Sequence, residues 1–147
     1  MTQFRSAKVS DLSDLNRISV ASKKYWGYPD EWMENWAEDL FISAVDIDEH
    51  IIQIAEVQEG IVGFCCVSEE REFLEIKHLW ILPEFVAKGY GKELLTYTLG
   101  LVSHKGKPIQ VVSDPNAEAF YKKQGFTTIS NIESYPQGRS LPLMKKM

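Results

Sequence analysis

Apolar positions change their period several times along the chain, and each change predicts an element. Phe4–Ala7 reads as a short strand. Leu12, Leu15 and Ile18 then recur at helical spacing behind Ser10, a residue type that caps helices, which predicts an amphipathic helix over about Asp11–Ser22. The segment Tyr25-Trp26-Gly27-Tyr28-Pro29 interrupts it, and a second helix is expected from near Asp30, carrying Trp32, Trp36 and Leu40. Ile51–Val57 and Ile61–Val67 are rich in β-branched residues and are joined by Gln58-Glu59-Gly60, which predicts a hairpin. A further strand covers about Phe73–Leu82. A loop follows, then a helix from Gly89 to about Ser103 and a strand at Ile109–Val112. A helix over Asn116–Gln124 is stopped by Gly125, and strands at Phe126–Ile132 and Leu141–Lys145 complete the order.

Strands in succession followed by a strand–helix–strand crossover imply an α/β (α+β) chain: a mixed central sheet of about seven strands with helices on both faces. No repeat or linker divides residues 1–147, so a single domain is expected. In the strand Phe73–Leu82, strict alternation puts Glu75, Lys77, Leu79 and Ile81 on one face. Leu74, Ile76, His78 and Trp80 then fall on the other.

Composition narrows the class. The chain has 147 residues, 44% hydrophobic and 25% charged, a globular balance. The N-terminus does not read as a secretory signal, and the apolar runs are too short to span a bilayer. Cys65 and Cys66 are neighbours in a strand and point to opposite faces, so they do not pair, and a reducing, cytoplasmic compartment is expected. The net charge of −5 is unevenly spread. Residues 1–74 hold 6 Lys/Arg and 15 Asp/Glu, whereas residues 75–147 hold 10 and 6. The C-terminal half is thus suited to face an anion and the N-terminal half a cation. Overall acidity without a basic block argues against nucleic acid as a partner.

The stretch Leu79-Trp80-Ile81-Leu82-Pro83-Glu84-Phe85-Val86-Ala87-Lys88-Gly89-Tyr90-Gly91-Lys92 carries the first chemical signal. A buried strand ends at Pro83, and two glycines open a helix. Glycines let backbone N–H groups approach a ligand, and a helix N-terminus offers unpaired donors to an anion such as a pyrophosphate. A dinucleotide fingerprint is the rival reading. It fails because Leu94 stands at the third glycine position and six residues separate the strand from Gly89.

This stretch resembles motif A of the GNAT acetyltransferase superfamily, in which Gln/Arg-x-x-Gly-x-Gly/Ala opens a helix. Gly89 and Gly91 match, and Val86 replaces the Gln/Arg. The segment Asp114-Pro115-Asn116-Ala117-Glu118-Ala119-Phe120-Tyr121-Lys122-Lys123-Gln124-Gly125-Phe126 resembles the family's motif B. There Ala117, Phe120, Tyr121, Gly125 and Phe126 match, while Asp114 stands where the family has Asn, with Asn116 two residues on. The resemblance covers about residues 4–147. It implies acetyl-CoA as cosubstrate and no metal. It places the pyrophosphate on Ala87, Lys88, Gly89, Tyr90, Gly91 and Lys92, and the pantetheine arm on the backbone of Leu79, Trp80 and Ile81, with Asp114 and Asn116 nearby. It places Tyr121 beside the CoA sulfur, where a phenol can protonate a departing thiolate.

Acetyl transfer to nitrogen requires an uncharged amine, so a base is needed directly or through water. The resemblance puts that base at Glu75, and His78 is the rival if the opposite strand face meets the acceptor. His50 and His104 have no supporting context. Tyr25, Trp26 and Tyr28, with the second helix and the Tyr135–Arg139 loop, are the expected acceptor site; the Trp32–Trp36 pair reads as core rather than as a cation box. The leading expectation is a direct N-acetyltransferase acting on an amine of a small molecule or a protein, with no nucleic acid or membrane partner and a homodimer left open. The second, from another class, is a non-catalytic acyl-CoA-binding sensor or scaffold. Val86 and Asp114 keep it open.

Overall fold

A computed structural model of the chain describes residues 2–102 and 106–147. Seven strands form one sheet: β1 (Gln3–Ser6), β2 (Ile51–Val57), β3 (Gly60–Glu69), β4 (Leu74–Ile81), β5 (Ile109–Val112), β6 (Thr127–Ser134) and β7 (Arg139–Lys146), in the order β1-β2-β3-β4-β5-β7-β6. Every pairing is antiparallel except β4 with β5. The expected mixed sheet of seven strands is therefore present. The expected helix end at Ser103, and His104, lie outside the described residues.

The first helix, α1 (Leu12–Lys24), buries Leu15 and Ile18 completely. Ser10 does not cap it. A 3-10 turn over Val9–Asp11 precedes the helix, and the Asp11 carboxylate takes the Lys8 N–H at 2.7 Å while Arg5 holds both its oxygens at 2.8 and 2.9 Å. Asp11 serves as the anchor because its carboxylate can satisfy a backbone donor and a guanidinium together. The expected second helix is split into α2 (Asp30–Asn35) and α3 (Ala37–Leu40), with Trp36 between them. Trp36 has ψ 0° at this junction, is buried, and donates its indole N–H to the Tyr135 carbonyl at 3.2 Å. A helix not expected from the sequence, α4 (Ala44–Glu49), is closed by a capping box in which Ser43 and Asp46 satisfy each other's backbone N–H. Six residues are too few to show a helical period.

The helices α1–α4 lie on one face of the sheet and α5 (Tyr90–Leu101) and α6 (Glu118–Lys123) on the other, dividing the core in two. Leu15, Ile18, Ile42, Ile54, Phe64 and Cys66 fill the first half. Val62, Cys65, Val67, Leu94, Leu95 and Met144 belong to the second, together with Tyr121. Cys65 and Cys66 are free thiols in different halves, and burial pushes each up to about 12. Gly63 is required where β3 meets β4, because a Cβ there would sit 2.3 Å from the Trp80 carbonyl oxygen.

Two features of β4 shape the site. The first overturns the strict alternation expected for this strand. Val67 of β3 pairs with Ile76 while its neighbour Cys66 pairs with His78, so Lys77 is an extra residue, a β-bulge. Leu74, Ile76, Leu79 and Ile81 consequently share the α5 face, while Trp80 packs in the opposite core. Glu75 lies opposite Ser68 and His78 opposite Cys66, which puts both on the α1–α4 face together. The second feature is divergence. β4 and β5 pair only over Leu74–Ile76 and Ile109–Val111, although β4 runs on to Ile81. A cleft opens where the pairing stops.

Candidate active site

The cleft has a volume of about 450 Å³, and its walls come from the divergent ends of β4 and β5, the loop before α5 and the start of α6. Leu79, Trp80 and Ile81 line one side. Beyond Ile76 this part of β4 has no β5 partner, so its backbone edge, apart from the Ile81 carbonyl that takes the Ser22 hydroxyl at 3.0 Å, is open to pair with an amide-bearing chain. Asp114, Asn116, Ala117, Phe120 and Tyr121 line the other side.

At one end the loop narrows into an anion site. Ala87 has φ 66° and Gly89 φ 89°, two left-handed residues separated by one. Such turns aim successive N–H groups at one point. The left-handed Ala87 carries no sequence signal, since only glycine or asparagine advertises that conformation. Among the described residues, the N–H of Val86 bonds to Pro83 and that of Glu93 to Gly89, but those of residues 87–92 find no backbone acceptor. They open on the first turn of α5, whose dipole adds to their attraction for an anion. A Cβ on Gly89 would meet nothing within 4 Å and would point into open space. One on Gly91 would reach the Phe120 ring at 3.4 Å, so Gly91 also lets α5 approach α6. Ala87, Gly89, Tyr90, Gly91 and Lys92 all line the cleft; Lys88 does not, and its ammonium stands 5.9 Å from the Phe85 ring centre. A diphosphate joined to a long amide-bearing arm fits both the N–H cluster and the open β4 edge.

Tyr121 is 5% exposed and lines both this cleft and a second cavity of about 70 Å³, which reaches Ile76, Lys77 and His78 on the other side. Burial pushes its phenol far up, the nearby Cys65 thiol adds to this, and no hydrogen bond opposes them. It is therefore a protonated donor across the physiological range.

His78 sits at the second cavity in one defined form. Trp80 donates its indole N–H to His78 Nδ1 at 3.0 Å. An indole nitrogen can only donate, so Nδ1 is the acceptor and the neutral ring carries its proton on Nε2. Burial lowers the His78 pKa to about 4, with Lys77 and His50 contributing and Asp46 opposing. Glu75 lines neither cavity, although it shares the strand face with His78.

The aromatic loop after α1 divides. Tyr25 and Trp26 line the cleft and are 52% and 42% exposed. Tyr28, expected beside them, turns away. Its hydroxyl donates to Asp114 at 3.0 Å and accepts from Asn116 and Arg139, each also at 3.0 Å. The reason is a buried charged cluster that no sequence motif signals: Lys23 pairs with Asp114, Arg139 lies 3.7 Å from the same carboxylate, and both cations stand 4.6 Å from the Trp36 ring centre. Trp36 is thus a core residue that also packs on internal cations. Burial pushes the Asp114 carboxyl up, but Lys23, the Asn116 N–H and the Tyr28 hydroxyl outweigh it and hold the group below the ordinary carboxylate range. The Asp114 oxygens are therefore committed to protein partners at the edge of the cleft. Asn116 is exposed, with its side-chain amide turned to Tyr28 and Asp114.

Among the described residues, no group of three or more His, Cys, Asp or Glu is arranged to hold a metal, and no helix is long and apolar enough to cross a membrane. A family model described as an acetyltransferase (GNAT) domain matches residues 48–128, more than half of the chain. An uncharacterized N-acetyltransferase of Chlorobaculum tepidum is 29% identical over 139 residues, covering 92% of this chain and 81% of that protein. One of Methanocaldococcus jannaschii is 26% identical over 136 residues, covering 84% of this chain; the alignment spans only 59% of that longer relative. The crystal structure of the PaiA N-acetyltransferase from Thermoplasma acidophilum in complex with coenzyme A superposes with a TM-score of 0.82 at 22% identity, covering 99% of this chain and 98% of that one.

Proposed function

Because this chain belongs to the GNAT acetyltransferase family and is an N-acetyltransferase, we propose that it moves the acetyl group of acetyl-CoA directly to an amine of a small molecule or a protein. One observation carries this reading: the unpartnered N–H groups of residues 87–92 open on the same cleft as the protonated Tyr121. Ala87 to Lys92 hold the pyrophosphate of the cosubstrate, and the β4 edge at Leu79, Trp80 and Ile81, beyond its pairing with β5, holds its pantetheine amides. Acetyl-CoA supplies an acyl group activated as a thioester. The chain contributes position, a proton and a proton acceptor. Residues 1–147 act as one catalytic domain.

The acceptor arrives as an ammonium. Between Asp30 and Glu49 the chain has eight Asp/Glu and no Lys or Arg, a local field that draws a cation to the α1–α4 face. Tyr25 and Trp26 offer ring faces at the rim. Glu75 takes the ammonium proton through an intervening water, since its side chain does not line the cleft. His78 is not the base, because its only free ring nitrogen already bears a proton. The freed amine lone pair attacks the thioester carbonyl carbon. As the N–C bond forms and the C–S bond breaks, Tyr121 gives its proton to the leaving thiolate. The second proton of the acetylated nitrogen leaves through solvent and restores the phenol. No cysteine lies in the cleft, so the transfer needs no acetyl-enzyme.

The test is release of CoA from acetyl-CoA in the presence of a panel of primary amines, run beside a melt in millimolar CoA. Amine-dependent release with a raised Tm supports the reading. A raised Tm with no release for any amine favours the acyl-CoA-binding module, and an unshifted melt overturns the cofactor assignment.

A further inference from the structure

Sheet hydrogen bonding between β4 and β5 ends at Ile76 and Val111, so the width of the cleft beyond that point is not set by the sheet. Two consecutive residues in the last turn of α1 reach its two walls. Ser22 donates its hydroxyl to the Ile81 carbonyl, at the end of β4, at 3.0 Å. Lys23 pairs with Asp114, which begins the 3-10 turn Pro115–Ala117 by accepting the Asn116 N–H at 2.8 Å. That turn runs directly into α6, which carries Tyr121. Ser22 and Lys23 are 6% and 8% exposed, so both side chains are buried.

We propose that Ser22 and Lys23 form a crossbar across the cleft, positioning residues that fix its width and so set the distance between the β4 edge and Tyr121. The idea rests on the acetyl-CoA reading above. A buried charged pair resists displacement, since separating it leaves uncompensated charge in a poorly solvated place. A hydroxyl–carbonyl bond on the adjacent residue gives the same helical turn a second hold. Lys23 does not line the cleft, and Ser22 lines it with its hydroxyl turned to Ile81. Both act through what they hold: Ile81 for the pantetheine edge, Asp114 for the entry to α6. A braced cleft also limits how much acyl chain fits beside Tyr121, which makes acyl length the property the crossbar controls.

The experiment uses the full chain with Lys23→Met, Ser22→Ala and the conservative Lys23→Arg. CoA binding is measured by calorimetry, and kcat and kcat/KM are measured with acetyl-CoA and butanoyl-CoA and one accepted amine. Lys23→Met is expected to fold, because Asp114 keeps Arg139, Tyr28 and Asn116 as partners. Its kcat with acetyl-CoA should fall by up to about 10²-fold, the cost of misplacement by roughly 1 Å. The butanoyl-to-acetyl ratio of kcat/KM should rise about tenfold, and Ser22→Ala should move it the same way by less. Lys23→Arg, which keeps the charge pair, should restore both quantities. A general loss of stability would not change the acyl ratio. An unchanged ratio in folded Lys23→Met overturns the crossbar; should that variant fail to fold, an unchanged ratio in Ser22→Ala does so. Failure of the wild type to bind CoA is a different result: it removes the acetyl-CoA reading and the crossbar with it.

Discussion

The indole N–H of Trp80 is bonded to Nδ1 of His78, two residues earlier on the same strand, at 3.0 Å. The bond is possible because residues two apart on a strand share a face, and the bulge at Lys77 turns that shared face toward α1–α4. It holds a neutral imidazole in a buried place, and that has a cost in acid. The folded-state pKa, about 4, lies below the ordinary value of 6.5, so the unfolded chain binds this proton first as pH falls. The stability contribution is full above about pH 6.5 and is lost as pH drops toward 4, by about 3 kcal/mol in all. Urea titrations between pH 7 and 4.5 should show this decline in the wild type and a shallower one in His78→Gln. Equal slopes would mean that His78 is solvated.

Tyr121→Phe removes the hydroxyl and keeps the packing of the ring against Phe120 and Phe126. CoA affinity should be preserved, while kcat falls by roughly 10²–10⁴-fold, the usual contribution of a positioned acid. Calorimetry and steady-state rates separate the two effects. An unchanged kcat in the folded variant would make Tyr121 a packing residue only.

Gly89→Val places a β-branched side chain at φ 89°, on a residue that lines the cleft within the N–H cluster. Left-handed backbone costs such a residue roughly 1–2 kcal/mol, so the fold should survive with a lowered Tm. The stabilisation by CoA should disappear, whereas the wild type should gain about 2.7 kcal/mol at 100 times Kd. Gly100→Ala is the matched control. Its Cβ would meet nothing within 4 Å inside α5, and helix propensity should raise stability by up to about 1 kcal/mol with the CoA shift intact.

Strong local signals carried the legible part of the fold. The seven strands, the hairpin at Gln58-Glu59 and the glycines before α5 all rest on patterns within a few residues of one another. What stayed hidden was set by contacts distant in sequence. Trp36, at the junction of α2 and α3, is held by Tyr135, far along the chain, which takes its indole N–H. Lys77 is extruded from β4 by its register with β3, and alternation alone then assigns every later residue to the wrong face. The same holds in the cleft. Ala87, Gly89 and Tyr121 were nameable from two short motifs. The commitment of Tyr28 and Asp114 to Lys23 and Arg139 was not, because it joins α1, the entry to α6 and the start of β7.

The placement of Glu75 on the same face as His78 makes the identity of the base testable through pH. Both groups face the side on which the acidic segment 30–49 lies, so an incoming ammonium meets them in the same approach. They differ in what they can accept. His78 offers no free lone pair, since Nδ1 is held by Trp80 and Nε2 carries a proton. Glu75 lacks an indole of this kind, but it needs a water to span the gap to the cleft. The pH dependence of kcat/KM should therefore show an acidic limb that belongs to the acceptor and its base as a coupled pair. Glu75→Gln keeps the shape of the side chain and removes its basicity. It should lower the plateau by at least about 10²-fold and move the limb toward the pKa of the free amine. His78→Gln should leave the limb in place. A limb moved by His78→Gln and untouched by Glu75→Gln would mean that Trp80 does not hold the imidazole during turnover, and the proton would then leave through His78.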